Sequence, residues 1–145
     1  MDKEGNLRYY TFAVNKDKNE GLSKRILDNG IKYTFSFKPV LVSNGKEETI
    51  DLTKDNNIRQ SICQIDANNF IYITNISSNR AIGFSTYSLA KKMVELGCQT
   101  GFNLDGGGST SIYYVKKGDN KATKIRVLEG SYGRSIPDIM YFVGE

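Results

Sequence analysis

The chain has 145 residues, 20 Lys and Arg against 16 Asp and Glu for a formal charge of +4, two cysteines and no histidine. That length supports one domain with one real core, and 39% hydrophobic residues, with nine tyrosines and seven phenylalanines, exclude a disordered tail. Without histidine, Ser-His-Asp and Cys-His nucleophile schemes are excluded along with the commonest zinc ligand, so any catalysis rests on carboxylates, arginines, hydroxyls and backbone dipoles.

Taken in order, Leu7 to Val14 alternates loosely and predicts a first strand. Leu22 to Asp28 has a short helical pattern, with Ser23 as a cap and Gly30 as the stop. Tyr33-Thr34-Phe35-Ser36-Phe37 alternates aromatic and polar residues, the period of a half-buried strand. Its aromatics read as core in preference to a binding platform. Pro39 interrupts this run, Val40-Leu41-Val42 continues it past a kink or at an edge position, and Asn44-Gly45 is a tight-turn pair. Lys54 to Asn57 is polar loop. Arg59 to Asp66 and Phe70 to Thr74 form a hairpin around Ala67-Asn68-Asn69. Thr86 to Leu96 is the clearest helix: Leu89, Ala90, Met93 and Leu96 share one face, Ser85 or Thr86 caps it and Gly97 ends it. Ser111 to Val115, Ile125 to Leu128 and Ile136 to Val143 read as further strands. Many strands with two helices predict a single α+β domain over residues 1–145, a mostly antiparallel or mixed sheet with helices packed on it.

The basic residues are spread along the chain, with only short clusters such as Lys91-Lys92 and Lys116-Lys117. This pattern argues against dedicated nucleic-acid binding and suits an anionic small substrate. No apolar run approaches the ~20 residues that span a bilayer, and Met1 to Gly5 lacks the apolar core of a signal peptide. Cys63 and Cys98 either pair in an oxidising compartment or stay as buried thiols. No cofactor and no metal site is expected.

The segment Asn103-Leu104-Asp105-Gly106-Gly107-Gly108-Ser109-Thr110 concentrates the chemistry. Consecutive glycines let the backbone adopt positive φ and approach a ligand closely, and successive N–H groups in such a turn form an anion-binding concavity. The loop has neither the lysine of a phosphate-binding P-loop nor the alternating carboxylates of a calcium loop. A hairpin turn begun by Asp105 is the plainer reading; the acid before the glycines and the hydroxyls after them favour a ligand site. Arg59 and Arg134 each stand at a loop–strand junction. Taken singly each reads as a surface salt bridge, as does Arg80, and the alternative is a two-pronged grip on phosphate.

Together these residues resemble the phosphodiester glycosidase family, the domain of the enzyme that uncovers mannose 6-phosphate by removing N-acetylglucosamine from a phosphodiester, found also in bacterial envelope proteins. Phe37-Lys38-Pro39-Val40-Leu41-Val42 is similar to its aromatic-x-Pro-x-Leu-Val strand, and Arg59-Gln60-Ser61-Ile62 to its Arg-Thr-Ala-Ile opening. Gly83-Phe84-Ser85, with Leu89-Ala90 and Leu96-Gly97-Cys98, resembles its Gly-x-Thr helix start and Leu-Gly end. Asn103 to Thr110 matches the family hallmark, and Arg134-Ser135-Ile136-Pro137 resembles its closing strand. Two features depart from the pattern. No counterpart of the family's earlier Asn-Gly-Gly-Phe-Phe segment is found, which implies the C-terminal part of the family domain, and Gln60 and Cys63 replace a threonine and a glycine.

The resemblance implies hydrolysis of a sugar-1-phosphodiester or related glycosidic linkage in envelope or exopolysaccharide glycans. The alternative is a non-catalytic module that binds anionic envelope polysaccharide. The implied catalytic residues are Asp105, Arg59 and Arg134, with Asn103, Gly106, Gly107, Gly108, Ser109 and Thr110 binding substrate. The implied partner is a carbohydrate or sugar phosphate, and the implied location is extracellular or the cell envelope.

Overall fold

A computed structural model describes residues 1–10, 21–75, 82–127, 135–136 and 139–143. The elements are α1 (Leu22–Asp28), β1 (Val40–Ser43), β2 (Lys46–Glu47), β3 (Gln60–Gln64), β4 (Phe70–Thr74), α2 (Thr86–Glu95), β5 (Thr100–Leu104), β6 (Ser111–Tyr114) and β7 (Thr123–Val127). Five strands form one antiparallel sheet in the order β2-β1-β5-β3-β4, and β6 and β7 pair as a separate ribbon. The expected single α+β domain is what forms.

Local chemistry accounts for most of these boundaries. Asn44 and Gly45, at φ 51° and 73°, make the turn that pairs Ser43 with Lys46. Asp66 caps the β3–β4 turn, its Oδ1 accepting the N–H groups of Asn68 and Asn69, both at 3.1 Å. Ser85 caps α2 by accepting the N–H of Ser88 at 2.9 Å, while Thr86 Oγ1 accepts the N–H of Thr53 at 2.7 Å and pins the preceding loop. In α1, by contrast, Ser23 lies inside the helix and the cap position is Gly21.

The central strands β5 and β3 are covered on both faces. On one face α2 lays Leu89, Ala90 and Met93 over Leu41, Val42, Cys63 and Cys98, all buried. Cys63 and Cys98 are joined in a disulfide, with Cα atoms 5.6 Å apart and a separation of 35 positions in sequence. Such a cross-link is worth about 3–4 kcal/mol in the chain-entropy description. On the other face Ile62 and Phe102 pack with Leu7, Met1 and Phe35, and the Phe35 ring stands edge-on to Phe102 at 5.7 Å.

Three expected strands are absent among the described residues. Leu7 to Tyr10 is irregular because the Leu7 N–H goes to the Gln64 side chain at 2.7 Å instead of to a neighbouring strand; positions 11–14 lie outside the described residues. Tyr33 to Phe37 joins no ladder, since β1 occupies the place beside β5, and its start pairs with the terminus through Met1 N to Tyr33 O at 2.8 Å and Lys32 N to Met1 O at 2.9 Å. Of its three aromatics, only Phe35 is core: Tyr33 and Phe37 are 74% and 45% exposed. In the last segment, residues 135–136 and 139–143 carry no strand. Alternating apolar residues need a sheet edge to pair with, and Phe142 meets β4 through its ring, 6.1 Å from that of Phe70.

The N-terminal turn is held by a buried carboxylate. Asp2 accepts the N–H of Asn6 at 2.8 Å and of Glu4 at 3.0 Å, and pairs with Arg8 at 2.9 Å. Burial pushes its carboxyl upward, but the Asn6 N–H, the Arg8 guanidinium and the Glu4 N–H outweigh it and hold the value at about 2, below the usual 3.8. The folded state therefore favours the charged form, and the stability this adds is present above pH ~4 and lost as pH falls toward ~2. Asp2→Asn is expected to lower the urea midpoint above pH ~4 and to converge with the native protein near pH ~2. A constant offset across that window would contradict it.

Candidate active site

The antiparallel register places Gln60 opposite both Thr74 on β4 and Leu104 on β5. Arg59, Asn75 and Asp105 are the next residues outward, so three loops meet at one end of the sheet. Phe84 joins them through a bridge with Asn57, its N–H and carbonyl bonding the Asn57 main chain at 2.9 and 3.1 Å. A cleft of about 300 Å³ opens there, lined by Arg59, Asn103, Asp105 and the glycines, with Phe37 and Asn57.

The three glycines have different tasks. Gly106 is extended, at φ −119°, and a Cβ there would lie 2.4 Å from the Ile58 carbonyl oxygen. Gly107 alone of the three has positive φ, at 56°, and its N–H donates to that same carbonyl at 2.9 Å. Gly108 is exposed with open space around it. The loop is thus docked on the residue before Arg59. A second tie runs from Gln60, whose amide Nε2 donates to the Asp105 main-chain oxygen, while the Tyr72 hydroxyl donates to Gln60 Oε1. Burial raises the Tyr72 hydroxyl to about 12, so it remains a donor through the neutral range.

Docking the loop also spends amides expected to bind an anion. Gly107, Ser109 and Thr110 donate to the carbonyls of Ile58, Gly106 and Gly107, which leaves Gly106 and Gly108 as the glycine amides for a ligand. Ser109 and Thr110 are buried, at 7% and 1% exposure, and neither lines the cleft. Asp105 and Arg59 do line it, both half-buried. The main chain of Arg59 is fixed by Asn75, whose Oδ1 accepts its N–H at 2.8 Å, and its Nε donates to Phe84 O at 3.4 Å. No described acid pairs with its guanidinium, so the salt-bridge reading does not hold for Arg59 among the described residues. Arg80 and Arg134 lie outside them.

Asn103 donates from its main chain to Pro39 O at 3.1 Å and from Nδ2 to Lys38 O at 3.0 Å. Its Oδ1 is buried without a partner, and the other such atoms among the described residues are Asn75 Nδ2 and Thr110 Oγ1. Orphaned buried polar atoms cost about 1–3 kcal/mol each, and all three gather at this end of the sheet. Sequence reasoning missed Phe37, Gln60, Tyr72 and Asn75 as parts of the site. Phe37 and Gln60 sat inside quoted motifs; nothing in the local sequence marks Tyr72 or Asn75.

A family model described as phosphodiester glycosidase matches residues 2–143. Neither a curated protein nor a solved structure matches the chain.

Proposed function

The chain belongs to the phosphodiester glycosidase family, and we propose that it hydrolyses a sugar-1-phosphodiester in an envelope or exopolysaccharide glycan. The observation that carries this reading is that half-buried Arg59 lines the cleft together with Asp105, while no acid among the described residues pairs with its guanidinium. A guanidinium so placed suits a phosphate through paired N–H donors. The amides of Gly106 and Gly108 add donors to the same anion, and Arg134 of the closing motif is the proposed second arginine.

In the proposed reaction a water oxygen attacks the anomeric carbon as the bond from that carbon to the phosphate oxygen breaks. Asp105 takes the proton from the water. The phosphate keeps the bridging oxygen and leaves as a monoester, whose charge Arg59 holds. A leaving group that is already an anion reduces the need for the second carboxylate usual in glycoside hydrolysis. The Cys63–Cys98 disulfide supports an oxidising location, outside the cell or in its envelope.

The test is release of free sugar from a phosphodiester of N-acetylglucosamine 1-phosphate. Arg59→Gln is expected to lower kcat/KM roughly 10- to 100-fold, the worth of one charge-assisted pair. Absence of release by the native protein, with polysaccharide binding retained, would replace the hydrolase by the binding module.

A further inference from the structure

The glycine loop runs directly into a ribbon that stands apart from the five-stranded sheet. Its base is fixed: Ser109 and Thr110 are buried, and Ser111 and Ile112 at the start of β6 are half-buried. Beyond them the strand leaves the body. Tyr113, Tyr114 and Val115 are 55%, 48% and 61% exposed, and Ile125 on β7 is 61% exposed. Successive strand residues face opposite sides, so Tyr113 and Tyr114 put an aromatic ring on each face of the ribbon. A two-stranded hairpin is marginal in water by itself. Large apolar side chains on its open faces point to a surface that receives them.

The charge of the ribbon says which surface. Residues 111–127 hold five of the chain's 20 Lys and Arg and one of its 16 Asp and Glu, which leaves 15 of each sign elsewhere. The whole formal charge of +4 is therefore carried by this one ribbon. At its tip the Asp119 N–H donates to Lys116 O at 2.9 Å and Gly118 takes φ 92°, a closed turn that follows Val115. Lys116, Lys117 and Lys121 are exposed, and none is paired with an acid among the described residues.

We infer that the β6–β7 ribbon docks on an anionic lipid surface, with Tyr113, Tyr114, Val115 and Ile125 entering the interfacial layer and Lys116, Lys117 and Lys121 on the headgroups. Tyrosine suits that layer because its ring is apolar and its hydroxyl stays wet. An anionic polysaccharide or a nucleic acid would take the lysines and the rings. It has no use for the branched aliphatics Val115 and Ile125, which neither stack nor hydrogen-bond, whereas lipid accepts both. Since β6 begins at the residue after Thr110, docking holds the cleft close to that surface. The inference does not depend on the chemistry proposed for the cleft.

The chain has no tryptophan, so Val115→Trp supplies a single fluorescent reporter at the tip. With vesicles of equimolar phosphatidylcholine and phosphatidylglycerol, its emission is expected to shift to the blue and to be quenched by acyl-brominated lipid. Vesicles of phosphatidylcholine alone should leave it unchanged. In co-sedimentation of the otherwise native chain, Lys116→Gln with Lys117→Gln is expected to weaken binding about 25-fold, at roughly fivefold per charge near an anionic surface. Tyr113→Ser with Ile125→Ser is expected to weaken it about tenfold. A thermal melt of each variant checks folding. No binding to the anionic vesicles overturns the inference, and so does binding with an unshifted, unquenched reporter, which is attraction by charge alone. A reporter that responds to an anionic polysaccharide or to DNA and not to vesicles assigns the ribbon to that polymer instead. A lipid-free dimer that Tyr113→Ser dissolves, without vesicle binding, assigns it to a second copy; either result overturns lipid docking.

Discussion

Asp105→Asn is expected to slow sugar release roughly 10²–10⁴-fold, the usual contribution of a positioned general acid or base. The substitution keeps the shape of the side chain and leaves the main chain alone. That matters because the Asp105 carbonyl, not its carboxylate, receives Gln60, and Gln60 is held in turn by Tyr72. The loop also keeps its docking bond from Gly107 to Ile58. With both ties intact, a joint loss of rate and of pH dependence reports the proton acceptor. An amide can still orient a water by hydrogen bonding but cannot take its proton. A merely orienting Asp105 would therefore lose less than about tenfold, and the acid limb of the kcat/KM pH profile would survive. As the base, it loses both rate and limb.

The sequence made the helices and the central hairpin readable, because their causes are local. Ser85, Asp66 and Asn44-Gly45 act within a few residues of themselves, and α1 and α2 appear within a residue of their expected ends. The strand readings that failed depended on a partner edge. Tyr33 to Phe37 has the alternation of a strand, but the position beside β5 is taken by β1, and only Phe35 finds the core. That displacement is what brings Phe37 to the cleft, so the missed strand and the missed site residue have one cause.

At the site, the loop and Arg59 were legible as candidates through the family motifs, against plainer readings as a hairpin turn and a surface salt bridge. Their spatial relation was not. The register Gln60↔Leu104 puts Arg59 and Asp105 side by side across 46 positions of sequence, and no spacing rule contains that information. The roles of the glycines were also hidden. Three in a row suggested freedom of φ at each, whereas only Gly107 uses it and Gly106 is needed for closeness.

That division makes a graded prediction. Gly106→Ala is expected to cost about 4 kcal/mol or more, because the new Cβ would sit 2.4 Å from the Ile58 carbonyl oxygen and 3.4 Å from the Arg59 Cα, both main-chain atoms that no rotamer change can move aside. Relief requires lifting the loop from the start of β3, which breaks the Gly107–Ile58 bond and shifts Asp105 relative to Arg59. Gly107→Ala meets no atom within 4 Å but holds a left-handed residue at φ 56°, a cost of about 1–2 kcal/mol. Gly108→Ala, exposed and unobstructed, should stay within about 0.5 kcal/mol. Urea unfolding of the three variants reads the order directly. Sugar release should follow the same ranking, with Gly106→Ala losing activity even at temperatures where it remains folded, since the loop can survive only by leaving the arginine. Equal stability of Gly106→Ala and Gly108→Ala would mean that the loop is not docked on Ile58, and the cleft between Asp105 and Arg59 would lose its structural basis.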